Sequence, residues 1–292
     1  LYLYFTAVLR SFGNSMFQAV AMLVSTILNA ILDPIFIHFI GFHGAAIATL
    51  LSQVICLAFM LIYLKKKKLF EFKISAFDKN DVLTLIQKAI PSVIQQSIPA
   101  ISTTFLTALV STYSVTAIAA YGVTGKLETI LFYPAMALNM VLTTIIGQCV
   151  GGARYDRAKD YLKCALGYGC GLLVILSVLV VGFSKQLSGL FVKSDAVAAI
   201  VGTYFLIVSV GYIVLNTVTN CFLGLLNGFG KPAKSMFLMI FYYIVVRMTL
   251  AYLLSYLGFG LNGIWVAVLV SHVVASVAAG ISGTIAIKKR TS

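Results

Sequence analysis

The chain has 292 residues, of which 61% are hydrophobic and only 10% are charged, and its formal net charge at pH 7 is +13. A soluble domain is about half apolar and a quarter charged, so this composition excludes an ordinary soluble enzyme, a disordered chain and a disulfide scaffold. The apolar total would fill about eight membrane-spanning helices of roughly 20 residues each. We therefore predict an all-α polytopic membrane protein.

Eight apolar segments of spanning length follow one another along the chain. They cover residues 16–37, 44–64, 89–112, 118–146, 161–184, 198–225, 235–257 and 262–287, and residues 1–9 resemble the end of a ninth. Because backbone groups in lipid must hydrogen-bond within the protein, these segments are predicted to be helices.

The basic residues are distributed unevenly between the two sides of the predicted bundle. Seventeen of the 21 Lys and Arg residues fall in one set of connections, Lys185 and Lys193 fall in the opposite set, and Lys126 and Arg247 lie within spans. Cytoplasmic loops of membrane proteins are rich in Lys and Arg, so the first set is predicted to be cytoplasmic, together with the C-terminus. Topology thus explains the positive charge, and no nucleic-acid partner is predicted.

The longest and most polar connection divides the chain into two parts. We predict that residues 1–64 are the C-terminal part of one bundle, that 65–88 are a cytoplasmic linker, and that 89–292 form a second bundle of six helices. The Lys65–Lys68 run in the linker is expected to contact anionic membrane lipid.

An internal repeat relates the two parts. The LRSFG segment Leu9–Gly13 matches the LNGFG segment Leu226–Gly230 at an offset of 217 residues, and Gly41-Phe42 matches Gly258-Phe259 at the same offset. Both copies begin on the cytoplasmic side, so the repeat is parallel. Extending it predicts a complete protein of roughly 420 residues with twelve spans in two pseudo-symmetric bundles, a transporter architecture.

Several motifs are similar to those of the multidrug and toxic compound extrusion (MATE) family. They are NAILDPIFI at 29–37 with GAAIAT at 44–49, GQCVGGA at 147–153, the two glycine turns at 9–13 and 226–230, and Arg247 with Gly-Ile-Trp at 263–265. The resemblance covers essentially the whole chain, as helices five to twelve and the end of helix four. It implies proton- or sodium-coupled export of small, often cationic, organic compounds by alternating access.

The resemblance carries further expectations. It implies a monomeric multi-pass protein of the cell membrane that is not an enzyme and has no cofactor or metal beyond the coupling ion. It gives structural roles to Arg10, Gly13, Gly147, Gln148, Gly230 and Arg247. Many members bind the coupling ion at an aspartate of the first helix, which the chain does not contain. One branch uses carboxylates in helices seven and ten, but residues 89–112 and 198–225 contain no acid.

Glu128 is the first candidate for the coupling group, because an ionisable side chain near the middle of a span is costly and is usually functional. Tyr121, Glu128 and Asn139 fall on roughly one helix face, whereas Lys126 points to another. Glu128 is expected to take up a proton or cation. The alternative is a structural ion pair with Arg247 or Lys126.

Asp33 is the second candidate for the coupling group. It precedes Pro34 near the outer end of its helix, so it is either a cap at a proline kink or a carboxylate of the coupling network.

Polar residues in the spans are candidates for the substrate cavity. They are Gln95, Gln96, Tyr121, Lys126, Asn139, Asn216 and Asn220. Asn216 and Asn220 share a helix face and either bond between helices or line the cavity. The histidines, including His272, are interpreted as structural.

The sequence is compatible with two other functions. A lipid-linked oligosaccharide flippase of related architecture would need a groove lined by several cations, and only Lys126 and Arg247 lie in spans. A membrane-embedded enzyme would need a convergent catalytic or metal-binding set, and the sequence suggests none.

Overall fold

The structure is a computed structural model that describes residues 1–68 and 78–291, without the side chains of residues 209, 210, 290 and 291. Every regular element in these residues is helical. The chain forms two compact units, Leu1–Phe77 and Asp78–Ser292, and their boundary falls within the predicted linker. Residues 69–77 of that linker lie outside the described residues.

The first unit contains three helices. They are α1 (Tyr2–Ser11), α2 (Ser15–Ile40) and α3 (Phe42–Lys66). Leu9 of α1 packs with Met60 and Leu64 of α3 in a small apolar core. The Ser25 hydroxyl of α2 donates to the Ser52 carbonyl of α3 at 3.2 Å, which adds a polar contact to the packing of these two helices.

The second unit contains the remaining helices. They are α4 (Lys79–Ser111), α5 (Val115–Gly151), α6 (Tyr155–Gly182), α7 (Ser184–Gly189), α8 (Asp195–Gly228), α9 (Pro232–Met239), a π-helix (Ile240–Met248), α10 (Thr249–Tyr256) and α11 (Gly260–Thr291). Residues 79–88, which the sequence assigns to the linker, form the beginning of α4. The Asp78 side chain caps this helix by accepting from the Asn80 amide.

The helices confirm the predicted number of spans. Seven segments of the described residues are long and apolar enough to cross a membrane, and α8 makes an eighth if its two parts form one span. Its parts, Asp195–Val208 and Gly211–Gly228, are bent by 59° relative to each other. The protein is therefore a multi-pass helical membrane protein.

The glycine turns of the repeat have matching backbone geometry. Gly13 and Gly230 have φ angles of 77° and 70°, and Gly41 and Gly258 have 70° and 85°. Only glycine adopts this left-handed region without strain. The Gly13 amide donates to the carbonyl of Arg10, and the Gly230 amide donates to that of Asn227, in both cases at 2.9 Å. Residues 217 positions apart thus end a helix in the same way.

The tightest helix contact in the second unit lies between α5 and α8. A Cβ atom added at Gly224 of α8 would lie 2.6 Å from the Asn139 carbonyl oxygen of α5. One turn later, a Cβ at Gly228 would lie 2.8 Å from Cβ of Ile146. Small residues let membrane helices approach closely, and these two glycines bring α8 against α5.

A nine-residue π-helix interrupts the span that α9 and α10 share. It covers Ile240–Met248 and carries the buried Arg247 in its last turn. The sequence predicts an ordinary α-helix here, so the wider turn is a feature that only the structure shows. π-helical segments are rare and frequently lie at functional sites.

Candidate functional site

The Glu128 carboxylate lies between α5 and α8. The Tyr204 hydroxyl of α8 donates a hydrogen bond to its Oε1 atom. Tyr212, two turns further along α8, interacts with the same carboxylate. Both tyrosines are almost completely buried, with 1% and 2% of their surfaces exposed. Neutral hydroxyls therefore solvate the acid, and such a contact stabilises its ionised form.

Arg247 is the second charged group of the site. Its Nε atom donates to the Ser271 hydroxyl of α11 at 2.9 Å, and its Nη2 atom contacts the His272 Nε2 atom. The guanidinium carbon lies 4.3 Å from the centroid of the Tyr243 ring. Arg247 also interacts electrostatically with Glu128. Three neutral partners on two helical segments thus hold Arg247, of whose surface only 6% is exposed.

The contact with Arg247 determines the tautomer of His272. A guanidinium only donates hydrogen bonds, so His272 Nε2 must accept and the ring must carry its proton on Nδ1. Nδ1 is buried and has no hydrogen-bond partner in the described part of the chain. His272 is therefore a neutral acceptor that orients Arg247.

Aromatic rings enclose the polar groups. Trp265 of α11 lies edge to face with Tyr204, with a centroid distance of 4.9 Å, and stacks on Tyr121 at 5.7 Å. The Tyr212 ring lies edge to face with His272 at 4.3 Å. We call Tyr121, Glu128, Tyr204, Tyr212, Tyr243, Arg247, Trp265, Ser271 and His272 the Glu128 cluster. It joins α5, α8, the π-helix and α11.

The structure places the predicted partners of Glu128 differently. Lys126 is exposed on the other side of α5, as its helical position predicts. The hydrogen bonds of Arg247 go to Ser271 and His272. The hydrogen bond that the described part of the chain shows for the Glu128 carboxylate comes from Tyr204 and not from either predicted ion-pair partner.

Asp33 belongs to a separate polar group in the first unit. The Asn29 side-chain amide of α2 donates to the Asp33 Oδ1 atom at 3.1 Å and to the Thr49 hydroxyl of α3 at 3.4 Å. Asp33 is half-buried. Its hydrogen-bond partner, Asn29, lies one turn earlier in the same helix. Asp33 does not cap the beginning of α2 or α3, because Asn14 and Gly41 occupy those N-cap positions.

The predicted cavity residues fall into two groups. Gln95 is buried on α4 and Gln96 is exposed, so only one glutamine packs within the unit. The Asn139 amide donates to Asn220 Oδ1 at 3.4 Å, and the Asn220 amide donates to Asn216 Oδ1 at 3.2 Å. The three asparagines therefore form a hydrogen-bonded row between α5 and α8.

The predicted structural residues lie at helix ends and contacts. Arg10 is half-buried in the last turn of α1, and Gln148 lies in the last turn of α5. A Cβ atom at Gly147 would lie 3.8 Å from the Gly228 carbonyl oxygen, so this glycine faces α8. The Gly230 carbonyl accepts from the Lys88 ammonium at 2.6 Å, which links the turn after α8 to α4.

Within residues 1–68 and 78–291, no group of three His, Cys, Asp or Glu side chains is arranged to hold a metal ion.

Comparison with known proteins identifies the family. The sequence profile described as MatE matches residues 91–253, which is more than half of the chain. The chain belongs to the multidrug and toxic compound extrusion family. MATE proteins are membrane transporters and not enzymes, so the membrane-embedded enzyme is excluded.

Individual MATE relatives are distant in sequence and close in fold. The chain is 28% identical over 282 residues to a FAD transporter of Shewanella oneidensis, covering 92% of this chain and 61% of the relative. It is 31% identical over 154 residues to a probable multidrug resistance protein NorM of Pasteurella multocida, covering 51% of this chain and 33% of NorM. The chain thus spans less than two thirds of the length of these relatives.

A solved MATE structure has the same fold. A mutant of the transporter VcmN of Vibrio cholerae superposes with a TM-score of 0.92 at 22% identity, over 99% of this chain and 66% of VcmN. The resemblance of the motifs to MATE proteins, and the fold of two pseudo-symmetric helical bundles, are thereby confirmed.

The sequence interpretation missed most of the Glu128 cluster. It assigned His272 a structural role and did not single out Tyr204, Tyr212, Tyr243 or Ser271. One available signal was the repeat, because Ser271-His272 matches Ser52-Gln53 at an offset of 219 residues. These tyrosines carried no such signal, since they are 3 of the 15 tyrosines in the chain.

Proposed function

We propose that the chain is part of a secondary active exporter of small organic compounds, driven by entry of protons or sodium ions. The chain belongs to the MATE family, and its described residues contain seven or eight segments that can span a membrane. The recurring glycine turns support a parallel repeat. In such a transporter, two bundles alternately open a central cavity to either side of the membrane. We further propose that the protein acts as a monomer in the cell membrane, in contact with lipid, with a cytoplasmic C-terminus.

The observation that carries this proposal is the placement of Glu128. A carboxylate within a membrane span, contacted by buried tyrosine hydroxyls, is costly unless its protonation or ion binding is used. Binding of a proton or cation neutralises Glu128, weakens its interaction with Arg247 and changes the balance of charge between α5, α8, the π-helix and α11. We propose that this change favours the outward-facing state that releases the substrate.

Asp33 is a second coupling group in this proposal. The Asn29 amide donates to its carboxylate and to Thr49, so a change of charge on Asp33 would act on both α2 and α3. Each unit would then contain one carboxylate linked to a polar network.

Export is tested by dye accumulation in cells that make the complete protein. Cells with the transporter are expected to accumulate less ethidium than control cells, and an uncoupler is expected to abolish the difference. Equal accumulation with and without the transporter, across several cationic dyes, would contradict the efflux proposal for this substrate class.

The role of Glu128 is tested by Glu128→Gln, which keeps the shape of the side chain and removes its charge. We expect normal membrane insertion and loss of coupled export. Asp160→Asn, an exposed acid near the start of α6, is the matched control and is expected to transport like the wild type. Wild-type export by Glu128→Gln, together with loss of export in Asp33→Asn, would assign the coupling to Asp33.

A second candidate substrate follows from the Shewanella relative. That protein is named a FAD transporter, and it aligns with 92% of this chain. FAD is a large aromatic dinucleotide with a negative charge, unlike the cationic dyes. Cells that make the complete protein would then release more FAD into the medium than cells that make the Glu128→Gln variant, as measured by flavin fluorescence.

A further inference from the structure

One exposed face of α4 is polar along most of the span. Its six positions follow one another at steps of four, four, three, four and four residues, which is the spacing of one face of an α-helix. Five of the six side chains are polar, and the sixth is an alanine. We call Ser92, Gln96, Ala100, Thr103, Thr107 and Ser111 the α4 row. Nineteen residue steps of 1.5 Å make the row about 28 Å long, close to the thickness of about 30 Å of the hydrocarbon core.

The α4 row differs from the other sides of the same helix. Ile98 and Leu106 are buried within the second unit, whereas the exposed Ile94 and Ile101 lie on a third, apolar side. Among the seven continuous candidate spans in the described residues, α4 has the lowest mean hydropathy. The isoleucine side is suited to contact with lipid, and the α4 row is not.

The hydroxyl groups of the α4 row direct their protons to the helix backbone. Thr103 donates to the Pro99 carbonyl at 2.9 Å, and Thr107 donates to the Thr103 carbonyl at 2.8 Å. Ser92 and Ser111 likewise donate to carbonyls one turn earlier, at 2.8 and 2.6 Å. A hydroxyl has one proton and two lone pairs, so these bonds use the proton and leave the lone pairs to accept. The row therefore presents hydrogen-bond acceptors.

Two neighbouring glutamines add amide groups to this surface. Gln96 belongs to the α4 row and is exposed, and Gln95 lies beside it with 7% of its surface exposed. Neither side chain makes a hydrogen bond in the described part of the chain. An amide without a hydrogen-bond partner is costly in hydrocarbon, because no water is present to replace the partner. Gln96 therefore indicates that water or a polar ligand, and not lipid, contacts the row.

A row of acceptors distinguishes between two kinds of organic cation. Protonated amines and amino-substituted aromatic cations carry N–H groups, which complement the free lone pairs of the hydroxyls. Hydrogen bonds from a charged donor are stronger than those between neutral groups. A fully N-alkylated cation of the same charge has no proton to donate, so it forms none of these bonds.

We propose that the α4 row is a substrate-binding surface of the transport path, and that it favours organic cations with N–H groups over fully N-alkylated cations. The inference rests on the proposed function as an exporter and specifies its substrate class. Thr103 and Thr107, on consecutive turns of the row, are its specificity-determining residues.

Thiol labelling tests whether the α4 row faces water. Single cysteines replace Thr103, Thr107 or Ile101 in a complete protein that is free of its native cysteines, and open membrane fragments are treated with a charged methanethiosulfonate. Thr103→Cys and Thr107→Cys are expected to react, and Ile101→Cys on the apolar side is not. Unreactive cysteines at both threonine positions, with labelling restored after denaturation, would show that protein or lipid covers the row and would overturn the proposal.

Two dyes with the same ring system and charge test the preference. Rhodamine 123 carries N–H groups on both amino nitrogens, whereas tetramethylrhodamine methyl ester carries only methyl groups there. Fluorescence anisotropy with the purified complete protein is expected to give a Kd that is about tenfold lower for rhodamine 123, the effect of hydrogen bonds from a charged donor. Equal affinities, or tighter binding of the methylated dye, would overturn the preference.

A double variant tests the two hydroxyls. Thr103→Val combined with Thr107→Val replaces each hydroxyl by a methyl group of similar size. It is expected to bind rhodamine 123 about tenfold more weakly and the methylated dye as the wild type does. A preference that persists in the double variant would contradict the role of these hydroxyls.

Thr284→Val on α11 is the matched control for the double variant. Thr284 is exposed and also donates to a carbonyl one turn earlier, at 2.8 Å, but it lies beside the exposed apolar Val277 and Ile281. It is expected to bind both dyes with wild-type affinity. A loss of preference in Thr284→Val equal to that in the double variant would refute the assignment to the α4 row.

Transport measurements keep this inference separate from the proposed function. Export of both dyes by the wild type with equal KM would overturn the preference and leave the exporter proposal in place. Selective binding of rhodamine 123, without export of either dye, would support the α4 row as a binding surface and count against export of these compounds.

Discussion

Glu128 depends on side chains from outside its own helix. The Tyr204 hydroxyl donates to it, Tyr212 interacts with it, and Arg247 contributes an opposite charge from the π-helix. An isolated charge in an apolar environment is strongly disfavoured, whereas a hydrogen-bonded one is tolerated. The Glu128 cluster therefore lowers the cost of placing an acid within a membrane span.

Tyr204→Phe tests the hydrogen bond to Glu128 directly. The variant keeps the ring that packs on Trp265 and removes only the hydroxyl, whose bond to a charged group contributes about 1.5–3 kcal/mol. Because the hydroxyl stabilises the ionised acid, its loss should move the midpoint of the pH dependence of transport to higher pH by about one to two units. Dye export in vesicles at a series of pH values measures this midpoint.

The control for this variant is Tyr168→Phe on α6, where 82% of the tyrosine surface is exposed. It should leave the pH profile unchanged. An unchanged midpoint in Tyr204→Phe, with normal amounts of inserted protein, would show that the hydroxyl does not influence Glu128.

At the scale of helices, α5 and α8 hold the second unit together by close backbone approach. Gly224 and Gly228 bring α8 against Asn139 and Ile146 of α5, and Asn139 adds a hydrogen bond to Asn220. Membrane helices gain little from burying apolar side chains, because lipid is equally apolar, so packing at small residues and interhelix hydrogen bonds carry the association. The same pair of helices contributes Glu128 and its two tyrosines.

Gly224→Ala is expected to destabilise this helix pair. The added Cβ would lie 2.6 Å from the Asn139 carbonyl oxygen, which is backbone and cannot rotate away. Overpacking of this kind costs about 1–3 kcal/mol, so the variant should unfold at a lower temperature in detergent. Thermal unfolding followed by size-exclusion chromatography measures the change.

Gly171→Ala on α6 is the matched control for this prediction. A Cβ atom at Gly171 would meet no atom within 4 Å, so its unfolding temperature should equal that of the wild type or exceed it slightly. Equal unfolding temperatures for Gly224→Ala and the wild type would contradict the close approach of α5 and α8.

At the scale of the whole molecule, the distribution of basic residues and the internal repeat predict how the chain is oriented in the membrane. The loops of one set carry 17 of 21 basic residues, and the glycine turns recur at an offset of 217 residues with the same left-handed backbone. A parallel repeat places corresponding turns on the same side of the membrane. We therefore predict that Gly13 and Gly230 lie on the cytoplasmic side, and Gly41 and Gly258 on the outer side.

Reporter fusions test this orientation in the complete protein. Green fluorescent protein joined after Ser292 is expected to fluoresce, because it folds in the cytoplasm, and alkaline phosphatase at the same point should be inactive. A phosphatase fusion after Gly41 or Gly258 should be active. An active phosphatase after Ser292 would reverse the predicted topology.

The features that depend only on short segments of the sequence were predictable. Apolar length sets the number of spans, the distribution of Lys and Arg predicts their orientation, and a glycine turn requires no distant partner. The position of Glu128 in a span was equally visible, because it depends only on counting residues along one helix. The family motifs were also sufficient to predict the fold that the comparisons confirm.

Helix neighbours were not predictable, and these determine the site. Helices that are apolar on all sides carry no periodic signal to show which face meets another helix and which meets lipid. Gln95 and Gln96 were therefore both predicted as cavity residues from the sequence, although Gln95 is buried and Gln96 is exposed. Only the tertiary structure brings Tyr204 to Glu128, because the two residues are 76 positions apart in the sequence. It likewise brings Arg247 of the π-helix to His272 of α11, which is 25 positions away.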